Sequence, residues 1–297
     1  MFELKSYLAD KKSLIDAALK NMVENTVISD RMRQPILYAI MAGGKRVRPI
    51  LCLAASSAVS GEYDNALPAA CALEMIHTYS LIHDDLPALD DDALRRGQPT
   101  CHIKFNEATA ILTGDALLNM AFEVLSEAGL SSPVDQAYCW LKVLSTISRA
   151  AGCRGMIEGQ ARDIAYEGVQ LEHDQLQSLH KLKTGALIRA AVQSGAILGQ
   201  GSETQINDLL SYAEAIGLAF QVVDDVLNVK GDPEILGKAT GTDQAREKNT
   251  YPALLGLAQS EQYARALIDR ALQAIASFDN KADPLRAIAR YIIERNR

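Results

Sequence analysis

The sequence predicts an all-α fold, and three observations predict it. Apolar residues recur at intervals of three and four rather than two, aromatic residues make up only 5% of the chain, and no run of five alternating apolar and polar residues occurs. The pattern divides into about ten or more helices, with glycine turns between many of them. Predicted helices run over Phe2–Glu24, Gln34–Met41, Arg48–Ser60, Asn65–His83, Glu107–Glu127, Pro133–Asp163, Gln175–Leu198, Ile206–Val229 and Tyr251–Leu257. In a further helix over Ser260–Phe278, Tyr263, Leu267, Ala271 and Ile275 form one stripe, with Ser260 as its N-cap. Asp283-Pro284 and Ser132-Pro133 each place a capping residue before a first-turn proline.

Composition narrows the class. The 297 residues are 48% hydrophobic and 23% charged, which is a globular mixture. A formal net charge of -7 with no basic tail argues against a nucleic-acid partner. Cys52, Cys71, Cys101, Cys139 and Cys153 form no C-x-x-C pair and read as buried, reduced thiols. Met1–Lys12 lacks a signal-like apolar core, and no membrane span is predicted. A cytoplasmic chain forming one domain over residues 1–297 is the expectation, since no linker or repeat divides it.

Chemistry enters with the aspartates. The helix ending at His83 runs into Asp84-Asp85-Leu86-Pro87-Ala88-Leu89-Asp90-Asp91-Asp92. Acids at a helix C-terminus oppose the macrodipole and repel one another. A second apolar helix repeats the oddity, ending in Asp224-Asp225 with Asp232 beyond. Two such ends invite shared hard cations, and carboxylate oxygens suit Mg²⁺, which commonly joins protein acids to substrate phosphates. Paired solvated helix ends are the bland reading. Zinc is disfavoured, because His77, His83 and His102 have no cysteine at ligand spacing.

Phosphates bridged by magnesium also need cationic donors. Gly43-Gly44-Lys45-Arg46-Val47-Arg48-Pro49 sets three cations after a glycine turn, without the spacing of a Walker loop. Arg95-Arg96-Gly97 follows the first acid cluster, Lys183-Thr184-Gly185 lies on another helix, and Lys238 and Lys248 follow the second acids. Singly each is more often a solvated face. Together with two acid pairs they indicate a polyphosphate site, with arginine forks and lysine point charges sharing the load. Apolar flanks such as Met75, Tyr79, Ile82 and Phe220 suit a hydrocarbon tail below it.

At this point the motifs resemble those of the trans-isoprenyl diphosphate synthase family. The run Glu74–Gly97 is similar to its first aspartate-rich motif in the D-D-x-x-x-x-D form. Gly43–Pro49, Lys183-Thr184-Gly185, Phe220–Asp225 and Gly237-Lys238 through Lys248–Pro252 follow in the family's order over about residues 40–255. The likeness is greatest to its bacterial farnesyl diphosphate synthases. The resemblance implies an all-α isoprenoid-synthase bundle around a deep central cavity, working as a homodimer on small prenyl diphosphates. It implies that Asp84, Asp85, Asp90, Asp224 and Asp225 hold Mg²⁺, as three ions with substrate bound. Arg95, Lys183, Lys238 and Lys248 would hold the allylic diphosphate, and Gly44, Lys45, Arg48, His77 and Arg96 the isopentenyl diphosphate. Lys183, Thr184 and Gln221 would face the carbocation.

The implied reaction ionises an allylic diphosphate so that the alkene of isopentenyl diphosphate attacks the cation, in walls that exclude water. Tyr79 and Ser80, five and four positions before Asp84, would form the floor that stops chain growth. That points to farnesyl diphosphate, with geranylgeranyl diphosphate or a catalytically weak regulatory subunit as alternatives. A terpene cyclase is disfavoured, since it needs no second diphosphate site. One departure is Asn228, where the family has a third aspartate; an amide supplies an oxygen but no charge, so weaker magnesium binding is expected.

Overall fold

The structure, a computed structural model, describes residues 2–230 and 249–294. The helices are α1 Leu4–Asn25, α2 Asp30–Ile40, α3 Val47–Ser60, α4 Leu67–Asp84, α5 Cys101–Lys104, α6 Glu107–Ser131, α7 Ala137–Ala151, α8 Met156–Ala165 and α9 His173–His180. A π-helical turn over Lys181–Gly185 joins α9 to α10 Ala186–Leu198, followed by α11 Glu203–Lys230, α12 Tyr251–Leu255, α13 Leu257–Ala274 and α14 Asp283–Glu294. The all-α expectation holds. Among the described residues the extended structure is one hairpin, β1 Leu94–Arg95 paired antiparallel with β2 Gln98–Pro99. Its two-residue turn has Arg96 at φ 54° and Gly97 at φ 76°, the backbone that matches strand twist in a tight hairpin.

Four helices form the centre. α3 lies against α10, α4 against α6, α11 against α13, and α10 touches α3, α4, α7 and α11. Leu51 and Leu53 of α3, Leu73, Met75 and Ile76 of α4, and Tyr212 of α11 are fully enclosed. Each such side chain contributes roughly 1.5–3 kcal/mol by leaving water, which holds the two acid-tipped helices, α4 and α11, in the middle of the bundle. α4 starts with Pro68 in its first turn and is apolar nearly all round until Ser80. It stops at Asp84, and the chain curls back so that the Asp90 N–H donates to the Asp84 carbonyl at 2.8 Å.

Several local expectations fail for identifiable reasons. The predicted helix over 133–163 is broken between Ala151 and Met156, where Gly152 sits in extended backbone and Gly155, at φ -152° and ψ -120°, in neither helical nor strand conformation. Ser132 is the C-cap of α6, its hydroxyl donating to Ala128 O at 2.7 Å, and is not the N-cap of a new helix. Ser260 lies inside α13, fully buried and bonded to Gly256 O; the helix starts at Leu257 after Gly256. Cys52, Cys71 and Cys101 are buried thiols as expected, whereas Cys139 is partly exposed and Cys153 exposed. The one helix of membrane length and apolarity among the described residues, α6, packs against α4 and α7. By length and composition, Glu107–Ser131 is apolar enough to cross a membrane, with 39% of its apolar window buried in the fold.

Candidate active site

The first acid end is built by α4 and the hairpin. Asp85, 3% exposed, accepts from Arg95 Nε at 2.7 and 2.8 Å and from Arg95 Nη2 at 2.5 Å. Both of its oxygens are therefore engaged by a guanidinium fork. Asp84 has a different environment: burial pushes its carboxyl up to about 6, Lys183 opposes the rise, and Asp90 adds to it. Asp84 thus feels Lys183 from the π-helical turn, and the two segments face one another.

That turn carries the next groups. The Lys183 ammonium pairs with Asp163 of α8 at 2.6 Å, and the Thr184 hydroxyl donates to Gln221 Oε1 of α11 at 3.1 Å. α8 approaches so closely because of Gly159, where a Cβ would lie 2.3 Å from the Lys183 backbone nitrogen. From Gln221 the chain of contacts reaches the second acid pair. Asp225, 3% exposed, accepts from Gln221 Nε2 at 2.9 Å through Oδ1 and from the Tyr251 N–H at 3.0 Å through Oδ2. Asp224, half-buried on the same turn, instead lines the cavity. Asn228, one turn further, is buried. Lys238, Lys248 and Asp232 lie outside the described residues.

A cavity of about 700 Å³ joins Thr184, Gln221 and Asp224 to the cationic loop; Asp84, Asp85, Arg95 and Lys183 are not among its lining residues. Its lining includes Gly44, Lys45, Arg48, His77 and Arg96 on one side and Thr184, Phe220, Gln221 and Asp224 on the other. Arg48 has its Nε buried with no hydrogen-bond partner, and it senses Glu74 and Asp224. Burial, then the Arg48, Arg96, Arg95 and Arg46 charges, hold His77 well below its usual range, so its ring is neutral. Arg96 donates to Gly43 O and covers Gly44, whose φ of +124° favours glycine.

Below the acids, Tyr79 is 6% exposed and stands edge-on to His83 with ring centroids 5.8 Å apart. Its hydroxyl is buried with no partner. Ser80, in contrast, turns its hydroxyl back to His77 O at 2.9 Å within its own helix. Sequence reasoning missed Asp163 and Glu74, which bind cations of the site from 20 and 28 residues away. Neither carries a local signal, because both act through helix packing.

Magnesium fits the donor set here: Asp84, Asp90 and Asp224 offer carboxylate oxygens, and burial, with Asp90 and Asp85 adding to it, raises an Asp84 carboxyl whose charged form a dication would favour. Among the described residues no group of three or more His, Cys, Asp or Glu is close enough to hold a metal unaided. Ions there would be completed by the substrate's phosphate oxygens.

His180 adds a pH dependence. It is buried beside Tyr251, ring centroids 5.4 Å apart, with Nδ1 unpartnered, and burial pushes its ring down to about 4. The folded state keeps it neutral, while the unfolded chain takes a proton near pH 6.5. Stability present above pH 6.5 is therefore lost as pH falls toward 4, by about 3 kcal/mol at most. Urea midpoints of His180→Phe should vary less between pH 6.5 and 4 than those of wild type; parallel curves would show that His180 is not the source.

Comparison with known proteins agrees with this geometry. The polyprenyl synthetase family model matches residues 29–289. The chain is 45% identical over 299 residues to a geranylgeranyl diphosphate synthase of Cyanophora paradoxa, covering 99% of this chain and 97% of that protein. It is 49% identical over 281 residues to the farnesyl diphosphate synthase of Escherichia coli, covering 92% and 91%. An FPP/GFPP synthase of Zymomonas mobilis superposes with a TM-score of 0.84 at 37% identity, covering 98% of both chains. Further Arabidopsis thaliana relatives are geranylgeranyl pyrophosphate synthases.

Proposed function

Because the chain belongs to the polyprenyl synthetase family and is a prenyltransferase that condenses isoprenoid diphosphates, we propose that it extends an allylic diphosphate head-to-tail with isopentenyl diphosphate. The observation that carries this reading is the single cavity of about 700 Å³ with Arg48, His77 and Arg96 on one wall and Thr184, Gln221 and Asp224 on the other. It sets a cationic region that can take one diphosphate near a neutral polar pair and a carboxylate, Asp224, that can take a cation.

In this reading Asp84, Asp90 and Asp224 would hold magnesium, as three ions with substrate bound, and Arg95 and Lys183 would grip the allylic diphosphate. Asp85 and Asp225 act mainly by orienting Arg95 and Gln221, the groups they bind. Magnesium, when bound, neutralises charge on the leaving diphosphate. Lys183 adds a donor to the same oxygens as the allylic C1–O bond breaks. Lys45, Arg48 and Arg96 hold isopentenyl diphosphate so that its alkene carbon C4 faces C1. Thr184 Oγ1 and Gln221 Oε1 lie side by side and steady the cation by their dipoles. The bond between C4 and C1 then forms, and a proton leaves C2 to the released diphosphate. His77, held neutral among arginines, can donate a hydrogen bond without adding a charge.

The names of the relatives favour geranylgeranyl diphosphate as product over the farnesyl diphosphate favoured by the sequence alone. One observation keeps farnesyl diphosphate as a second reading: Tyr79 is buried below Asp84 and braced by His83, as a floor requires. Incubating the protein with Mg²⁺, isopentenyl diphosphate and dimethylallyl, geranyl or farnesyl diphosphate, then sizing the products, tests both. Elongation of farnesyl diphosphate to C20 supports the first reading, arrest at C15 the second, and no elongated product refutes the function.

A homodimer fits the outer surface. Leu112 of α6 and Leu141 of α7 are 55% and 60% exposed, and Leu130 at the end of α6 is 85% exposed. Apolar residues exposed on adjoining helices suit a second copy. Light scattering should give a dimer for wild type and a monomer for Leu112→Glu with Leu141→Glu; an unchanged mass for the variant would place the interface elsewhere. The free thiols suit a reducing, cytoplasmic setting.

A further inference from the structure

Arg46 stands between two cations of the proposed isopentenyl diphosphate site, and the linear pattern counts it with them. Its structural setting is different. The side chain is 1% exposed and all three of its nitrogens are bonded to protein: Nε to Asp16 Oδ1 of α1 at 2.7 Å, Nη1 to Glu74 Oε1 of α4 at 2.7 Å, and Nη2 to the Ile40 carbonyl at the end of α2. Arg46 lines the same cavity as Arg48, yet each of its three nitrogens already donates to a protein acceptor, so its guanidinium is held by the fold before any phosphate arrives.

The backbone at Arg46 is left-handed, φ 51° and ψ 37°, two residues after Gly44 at φ 124°, which itself follows Gly43 at φ 91°. A non-glycine residue there costs of order 1 kcal/mol and persists only where surrounding contacts over-determine it. Here the contacts come from three helices, and α3 begins at the next residue. Lys45 on one side is exposed, and Arg48 two residues on lines the cavity with an unpartnered Nε. Glu74 and Asp16 also supply the negative charge that lets several arginines share one buried region.

We infer that Arg46 is a positioning residue: clamped by Asp16, Glu74 and the Ile40 carbonyl, it fixes the left-handed turn that aims Lys45 and Arg48 at the isopentenyl diphosphate. The inference rests on the proposed function for the identity of the anion, and on the bonding pattern for the role of Arg46. Asp16 is the informative partner, because it does not line the cavity; besides Arg46 it pairs with Lys12, one turn back on α1.

The test compares wild type with Arg46→Gln and Asp16→Asn, each first checked for wild-type helical circular dichroism. KM for isopentenyl diphosphate should rise about tenfold in Arg46→Gln and about threefold in Asp16→Asn, with kcat and the allylic KM within twofold of wild type. Inorganic pyrophosphate binding in EDTA, followed by calorimetry, reads the same pocket without turnover and should weaken in the same order. An isopentenyl diphosphate KM unchanged in Asp16→Asn, or both KM values rising together, would overturn the positioning role. If Arg46→Gln does not fold, the Asp16→Asn measurements decide. Wild type that binds pyrophosphate but elongates nothing would refute the functional reading alone, and the order of pyrophosphate affinities would still judge the inference on Arg46.

Discussion

Asp84→Asn is expected to lower kcat by about a thousandfold or more while the protein stays folded, because it removes a carboxylate from the groups that hold the departing diphosphate's metal ions. The substitution is conservative in shape, and the structure explains why folding should survive it. Burial, with Asp90 and Asp85 adding to it, pushes the Asp84 carboxyl up to about 6, so the charged form is disfavoured in the metal-free fold. The sign follows from that rise. A carboxyl raised above its unfolded value near 3.8 favours folding when protonated, and this contribution is lost as pH increases from about 4 through about 6. An uncharged amide avoids that loss, so metal-free Asp84→Asn should be at least as stable as wild type at pH 7. Turnover and thermal unfolding measured on one preparation check both halves. Near-normal turnover would remove Asp84 from the metal site, and a large drop in melting temperature would show that it stabilises the fold instead.

Tyr79→Ala should lengthen the product by at least one five-carbon unit, whichever length wild type makes. Tyr79 sits five residues before Asp84, a little over one helical turn of about 5.4 Å deeper along α4. Its ring is held edge-on by His83, which is itself fixed by a contact of 3.1 Å between Nε2 and the Ile111 carbonyl of α6. The Tyr79 ring is therefore braced from the neighbouring helix. Removing the phenol ring opens volume without breaking a hydrogen bond, since its hydroxyl has no partner. Ser80→Ala should do much less, because that hydroxyl bonds back to its own helix. Chromatographic sizing of the dephosphorylated products checks this, and an unchanged length in Tyr79→Ala would place the floor elsewhere.

The helical class and both acid-tipped helices were legible in the sequence because each is a local, periodic signal. The period of α4 and α11 is set by burial on nearly every face, and their acidic ends stand out against it. The hairpin at Leu94–Pro99 was not legible: two-residue strands carry no alternation, and Arg96 takes a left-handed conformation usually given to Asn or Gly. The break between α7 and α8 was hidden by apolar residues that keep the helical pattern on both sides of Gly152 and Gly155. The candidate site shows the same division. Asp84, Asp85, Arg95 and Arg96 sit in one stretch and read as a cluster. The pairing of Lys183 with Asp163 and of Arg46 with Asp16 and Glu74 depends on which helices pack together, so sequence distance conceals it. Likewise the sequence could not separate the cavity-facing Asp224 from Asp225, whose two oxygens bond to Gln221 and the Tyr251 N–H.

The most direct measurement is a double-mutant cycle on Asp84→Asn and Asp224→Asn, reading the affinity of geranyl thiolodiphosphate, an analogue slow to ionise, at saturating Mg²⁺. If the ends of α4 and α11 grip one metal-loaded diphosphate, each single substitution weakens binding strongly and the second adds little to the first, a coupling above 1 kcal/mol. Additive losses, within about 0.5 kcal/mol, would mean that the two carboxylates act on separate sites.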